Sequence, residues 1–214
     1  MNSSQGRNPT GWRKQTIARL QYAQMAKAAA FGRHSRAEIR HLLNRIRPAL
    51  GLGTTQTFLL NILFDATYEQ DWQVGRAPIV WPSNETLARQ LSISVNATRD
   101  ALRFLADEGL IAYQNSANCR RAGQRDRNGR IIYAYGINLA LLEARYDELK
   151  AQADHHDDET ARRRVLRNDI TSLRRTIEAT IEMARDRVPA ERLKTFERQL
   201  GLIGPAWDGS AGPA

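Results

Sequence analysis

Residues Trp81 to Tyr113 read WPSNETLARQLSISVNATRDALRFLADEGLIAY, and the fold of the chain turns on that stretch. Its apolar residues follow two helical phases separated by a short polar turn. In the first phase Leu87, Ala88 and Leu91 share a face, and Ser83 or Asn84 is placed to cap the helix by accepting from a backbone N–H of the first turn. Ser92-Ile93-Ser94 makes the turn, with Ile93 in the angle and Ser94 capping the second helix. There Thr98, Ala101, Leu102 and Leu105 recur at helical spacing and face inward, while Asn96, Arg99, Asp100 and Arg103 occupy the opposite face. Gly109 stops the helix as a left-handed C-cap would, and Leu110-Ile111-Ala112-Tyr113 starts a strand. This is the pattern of a helix-turn-helix followed by a β-wing. Two packed amphipathic helices of no special function give the same spacing, so the reading needs support from the rest of the chain.

The wing expected from this pattern runs from Leu110 to Leu139. A strand at Leu110–Gln114 leads into the loop NSANCRRAGQRDRNG and back along a strand at Arg130–Ile137, with Asn128-Gly129 as the turn signal. The loop presents Arg120, Arg121, Arg125 and Arg127, with Arg130 at its edge and only Asp126 against them. Arginines crowded on a bare hairpin repel one another. Beside a nucleic-acid backbone they gain charge-assisted hydrogen bonds and release counterions. The bland alternative is a solvated charged loop.

Charge points the same way. The 214 residues carry a formal net charge of +9, with 32 Lys and Arg against 23 Asp and Glu. Residues 1–50 hold ten of the basic residues and one acid, so the first fifty positions account for the whole excess. A field of that sign favours a polyanion, either nucleic acid or an anionic membrane face, and a solubilising tail is the plainer reading. Arginine greatly outnumbers lysine, which suits bidentate contacts to phosphate and guanine. No apolar run approaches the length of a membrane span, and the start of the chain lacks the apolar core of a signal peptide. The single cysteine, Cys119, excludes an internal disulfide and suits a reducing cytoplasm.

Upstream, Trp12 to Phe31 reads as a helix with Ile17, Leu20, Met25 and Ala28 or Ala29 inward, and Arg13, Lys14, Arg19 and Lys27 elsewhere. Ser35-Arg36-Ala37-Glu38 is a capping box opening a helix with Ile39, Leu42, Leu43 and Ile46 inward, closed by Pro48. Thr54 or Thr55 then caps the most apolar helix of the chain, a loop covers Glu69 to Arg76, and Ile79-Val80 is a short strand able to pair with the wing. Downstream, Asn138 caps a helix through Ala153, and the acidic run DHHDDET reads as a break or exposed linker. His155, His156, Asp157 and Asp158 invite a metal reading, but adjacent helical side chains point apart. From Ala161, Leu166, Ile170, Leu173, Ile177, Ile181 and Ala184 form a heptad-like stripe, either a dimer seam or a face that packs on the winged helix. Pro189 breaks it, one further helix follows, and residues 201–214 read as a flexible tail or the start of a linker.

Several separated motifs then carry a resemblance. IVWPSN at Ile79–Asn84, DEGLI at Asp107–Ile111, RDRNGRI at Arg125–Ile131 and AYGINL at Ala134–Leu139 occur in one order, with ALGLGTTQTFLLNILF and DWQVGRAP upstream. Together they resemble the plasmid replication initiator RepC family of repABC-type plasmids, over roughly residues 12 to 200. The resemblance implies a winged-helix N-terminal domain that binds the plasmid origin and starts replication, in association with the nucleoid or plasmid. Members also carry a second, C-terminal domain, so a chain ending at Ala214 is expected to be either a truncated form or a short relative. One departure stands out: members tend to have Ser-Pro-Asn-Gly-Lys-Arg where this chain has Ser116-Ala117-Asn118-Cys119-Arg120-Arg121, which keeps the basic pair and loses the Pro and Gly.

The expectation is therefore a mainly α chain with a small β-hairpin: a basic arm at 1–32, a winged helix-turn-helix at 33–151, and a helical extension at 152–200 with 161–188 as the candidate homodimer seam. Double-stranded DNA at a plasmid origin is the expected partner, read by Ser94, Asn96, Arg99, Asp100 and Arg103. Arg120, Arg121, Arg125, Arg127, Arg130, Arg13 and Lys14 are expected on the phosphates. Host replication proteins are further candidate partners, and no membrane is expected. No phosphate-binding loop, HExxH or convincing nucleophile occurs, so no enzyme and no cofactor are expected, and Tyr113, Tyr133 and Tyr135 read as sheet packing rather than nicking residues. A winged-helix transcriptional regulator has the same DNA-binding physics and is the alternative. A third class, an interaction module whose basic arm binds membrane or RNA, needs large apolar residues exposed on a basic helix, and 12–31 is Ala-rich and weakly amphipathic.

Overall fold

The computed structural model describes residues 16–116 and 120–203. It is mainly helical with one small antiparallel sheet, in the order α1 (Ile17–Ala28), α2 (Arg36–Ala49), α3 (Thr54–Asp65), a 3₁₀ turn (Glu69–Trp72), β1 (Ile79–Val80), α4 (Asn84–Leu91), α5 (Val95–Asp107), β2 (Ala112–Gln114), β3 (Ala122–Arg125), β4 (Ile131–Asn138), α6 (Leu141–Ala144), α7 (Tyr146–Ala184) and α8 (Ala190–Ile203). Two compact units result, one up to His156 and one from Asp157.

The first unit is built on α3. Leu59, Leu60, Leu63 and Phe64 are buried, and around them close Ile39, Leu42, Leu43 and Ile46 of α2, Leu87 of α4, and Ala101, Leu102 and Leu105 of α5. Each Leu, Ile or Phe side chain so removed from water contributes about 1.5–3 kcal/mol before entropy is charged against it. The α2 capping box forms as the sequence predicts: the Glu38 side chain accepts from the Ser35 backbone N–H, and the Ser35 hydroxyl accepts from the Glu38 N–H. Hydrogen bonds donated by the Ser35 backbone N–H and the Ser35 hydroxyl hold the Glu38 carboxyl below its ordinary range. Pro48 lies inside the last turn of α2 rather than beyond it, and α3 starts at Thr54 behind Gly53, with no side-chain cap.

Strand β4 organises the sheet. It pairs antiparallel with β1 (Ile79↔Asn138), with β2 (Ala112↔Asn138) and, nearer its start, with β3 (Ala122↔Tyr135). Gln114 and Ala122 face adjacent β4 residues, Gly136 and Tyr135, so β2 ends and β3 begins on neighbouring rungs. The stretch read from sequence as one long loop therefore contains a strand. Gly136 has to be glycine, because a Cβ there would run into the Val80 carbonyl and Trp81.

Two further sequence readings are corrected. The inward face of α1 is not Ile17, Leu20 and Met25, which are all exposed; it is Arg19, Tyr22 and the buried Ala26. Small residues let α1 lie close, and Arg19 makes a bidentate pair with Asp107 at the end of α5. Nor does DHHDDET break the chain: α7 is continuous from Tyr146 to Ala184, a span without Gly or Pro, with i,i+4 pairs Lys150–Asp154 and Arg163–Glu159 along it. In the second unit Ile181 of α7 is buried with Leu193 and Leu200 of α8, flanked by Ala184 and Val188. Leu166, Leu173 and Ile177, on the predicted stripe, are exposed. No helix among the described residues is long and apolar enough to cross a membrane.

Candidate nucleic-acid interface

Helices α4 and α5 are set by caps that the sequence already shows. The Ser83 hydroxyl accepts from the Thr86 N–H at 3.1 Å, and the Ser94 hydroxyl from the Ala97 N–H at 3.1 Å. Ser92 turns the chain between them in the left-handed region, at φ 54°. The buried face of α5 is Thr98, Ala101, Leu102, Leu105 and Ala106. Asn96, Arg99, Asp100 and Arg103 are therefore outward, and all four are exposed. They interact along the helix: Arg99 donates to Asn96 Oδ1 at 3.1 Å and Arg103 to Asp100 Oδ1 at 2.9 Å. Exposed pairs of this kind contribute about 0.2–0.5 kcal/mol each, little enough to be exchanged for stronger acceptors.

The far end of α5 is anchored from a distance. Arg145, buried after α6, donates to the carbonyls of Glu108 and Gly109 at 2.6 and 2.9 Å, closing the end of the helix. Its guanidinium also meets Glu148 and lies over the Tyr22 ring of α1. Hydrogen bonding from Arg145 lowers the Glu148 pKa from its ordinary 4.5. Sequence reading missed Arg145, because the carbonyls it satisfies lie 36 and 37 residues away.

The sheet arginines divide into two kinds. Arg125 is 15% exposed and makes a two-pronged pair with Asp71, itself 3% exposed, at 2.9 and 2.7 Å. It also donates to Gly129 O at 2.7 Å and lies 4.0 Å over the Tyr68 ring, which ties the β3–β4 hairpin to the 3₁₀ turn. Gln70 reinforces that tie by donating to Asn128 O at 3.0 Å. The hairpin end is thus docked against the segment 68–71, not extended. Arg121 reaches the Pro82 carbonyl at 2.7 Å, next to the start of α4. Arg120, Arg127 and Arg130 are exposed, and among the described residues their guanidiniums have no partner. Asp126 is occupied locally, accepting from the backbone N–H groups of Asn128 and Arg130 at 2.8 Å.

Glu85, in the first turn of α4, links the two surfaces. Hydrogen bonds from its own backbone N–H and the Ser83 side chain hold its carboxyl below the usual range, and the charges of Arg99 and Arg121 add to this. Arg99 of α5 and Arg121 of the β2–β3 loop thus both bear on the charge of that carboxylate. The outward face of α5 carries Asn96, Arg99 and Arg103, and the β2–β3 loop carries Arg120 and Arg121, side chains that match base edges and phosphates. Arg13 and Lys14 lie outside the described residues. His155 and His156 lie on α7, and among the described residues no group of three or more His, Cys, Asp and Glu could hold a metal.

The first unit combines a helix pair, a short antiparallel sheet and an arginine-bearing loop, and sequence comparison gives its family. The chain belongs to the family of the replication protein C N-terminal domain, whose model matches residues 13–185. A protein of Sinorhizobium fredii (strain NBRC 101917 / NGR234) named as a replication protein C is 33% identical over 139 residues, covering 64% of this chain and 34% of that protein. One from Rhizobium rhizogenes with the same name is 31% identical over 136 residues, covering 63% of this chain and 34% of that protein. The matched region spans about a third of the length of these curated relatives. No solved structure matches the chain.

Proposed function

We propose that this chain is the origin-binding module of a plasmid replication initiator, a winged helix-turn-helix in which α5 enters the major groove and the β2–β3 loop and the β3–β4 hairpin form the wing. The observation that carries the reading is the outward face of α5, where Asn96, Arg99 and Arg103 stand exposed on a helix whose other face is core. Asn suits adenine and Arg suits guanine in the major groove, while Arg120, Arg127 and Arg130 serve flanking phosphates. Membership of the replication protein C family favours an initiator over a transcriptional regulator of the same fold. Recruitment of host replication proteins, without chemistry in this chain, follows from that role. Plasmid-wide and genome-wide occupancy of the protein in cells tests it: one dominant peak at the replication origin is the expected result, and peaks spread over promoters would replace initiator by regulator.

A second copy is the proposed partner of the exposed stripe on α7. Leu166, Leu173 and Ile177 lie at coiled-coil spacing on a face that the described residues leave open. Sedimentation of the protein should give a dimer that Leu173→Glu dissociates, and a monomer at all concentrations would remove this element.

A further inference from the structure

Strand β4 carries two aromatic rings that duplex binding does not use. Tyr133 and Tyr135 stand two residues apart, hence on one side of the strand, and are 46% and 38% exposed. Their ring centroids lie 6.4 Å apart at 46°, and their cross-strand neighbours on β3 are Gln124 and Ala122. Among the described residues neither hydroxyl makes a hydrogen bond, and each ring's only aromatic contact is the other. The remaining tyrosines are engaged. Tyr22 and Tyr68 lie under guanidiniums, Tyr113 packs on the core, and Tyr146 stacks on His34. Sheet packing thus accounts for Tyr113 and leaves the other two unexplained.

The segment that bears them is cationic. From Gly109 to Leu142 the chain holds five arginines and one acid, Asp126, whose carboxylate is taken up by two backbone N–H groups. Adjacent exposed rings inside a basic segment suit a ligand that has both flat apolar faces and a chain of negative charges. A duplex hides its base faces in the stack. A strand with unpaired bases offers both.

We propose that Tyr133 and Tyr135 form a stacking platform for the unpaired bases of single-stranded DNA, with Arg120, Arg127 and Arg130 on its phosphates. The inference rests on the reading of this chain as an origin-binding module, and adds that the hairpin engages a strand once the duplex has opened. Stacking on aromatic rings is indifferent to sequence, so the preference is for unpaired over paired DNA rather than for a particular base.

The test compares labelled oligo(dT) with a labelled duplex, using the full chain and two double variants. Tyr133→Ala with Tyr135→Ala should bind oligo(dT) at least ~10-fold more weakly and the duplex within ~2-fold of the parent, whereas Tyr133→Phe with Tyr135→Phe, which keeps both rings, should bind both like the parent. Equal losses on the two ligands, or an alanine variant that still binds oligo(dT) like the parent, would overturn the platform. A parent that binds duplex but not oligo(dT) refutes this inference alone, and one that binds neither refutes the origin-binding reading with it. Photocrosslinking of bromouracil-substituted single strands to the unaltered protein needs no variant to fold: the adduct is expected in the tryptic peptide Ile131–Arg145, and adducts confined to other peptides would overturn the assignment.

Discussion

Arg19, Arg33, Arg36, Arg40 and Arg45 in the N-terminal segment carry the same charge as Arg120, Arg127 and Arg130 in the sheet region and do the opposite with it. Arg19 pairs with Asp107, Arg33 with Asp147, Arg40 with Asp65 and Arg45 with Asp154, and Arg36 donates to the Phe64 carbonyl. Each links a residue of the N-terminal segment to a distant element. Arg120, Arg127 and Arg130 have acids at neither end of such a link and face solvent. The excess of positive charge in the first fifty residues is therefore a poor guide to the proposed DNA interface. Within the described residues much of it is neutralised by the fold, and the candidate interface draws on later arginines whose local balance is smaller. What decides an arginine's role is whether a carboxylate or a free helix-end carbonyl lies within reach.

That contrast can be broken most forcefully at Arg125, the hairpin arginine that behaves like the N-terminal ones. Asp71→Ala strands a buried guanidinium and should cost about 3–5 kcal/mol in a urea melt. Replacing both partners, Asp71→Leu with Arg125→Met, should restore much of that stability and leave duplex affinity nearly intact. A double variant that is stable yet blind to DNA would move Arg125 into the contact group.

The two faces of α5 sharpen the comparison next. Leu102→Ala opens a cavity in the core and should cost about 2–5 kcal/mol of stability. Arg99→Ala should leave the melt unchanged, cost about 1–3 kcal/mol of binding at one base pair and relax the preference there. Footprints together with thermal melts separate the cases, and exchanged outcomes would mean that the helix presents its other face to DNA.

A smaller effect belongs to Arg145 and Glu148. Because the Glu148 pKa is lowered in the folded protein, its contribution is fully present above the ordinary value of 4.5 and is lost as pH falls through the lower folded value. The pair is half-exposed at the carboxylate, so the contribution is only about 0.5–1 kcal/mol. Glu148→Gln should lower stability at neutral pH by that amount and flatten the acid limb of the stability profile; an unchanged limb would show the pair to be immaterial.

Much of this was legible in the sequence, for a local reason. Ser35, Ser83 and Ser94 each cap a helix through a hydrogen bond spanning three residues, and the inward faces of α2 and α5 repeat at helical period, so short windows carry the signal. What was not legible is long-range. Arg125 and Asp71 are 54 residues apart in sequence, and nothing in RDRNG distinguishes the arginine that is tied down from the one that is not. The face of α1 was misread because Ala26 and Tyr22 weigh less on a hydropathy count than Ile17 and Leu20, which the fold leaves in water. The acidic run in α7 was misread because charge density alone does not end a helix when neither Gly nor Pro interrupts it. The Tyr133–Tyr135 pair alternates as any strand does, and only its exposure marks it out.

The division between tied and open arginines is tested most directly by the salt dependence of duplex binding in two sets of variants. Removing Arg120, Arg127 and Arg130 together should make the slope of log affinity against log salt shallower by about 2–3 units, with no change in melting. Removing Arg19 and Arg45 should lower the melting midpoint and leave the slope of the still-folded protein where it was. A slope that follows the N-terminal pair and ignores the hairpin would contradict the account.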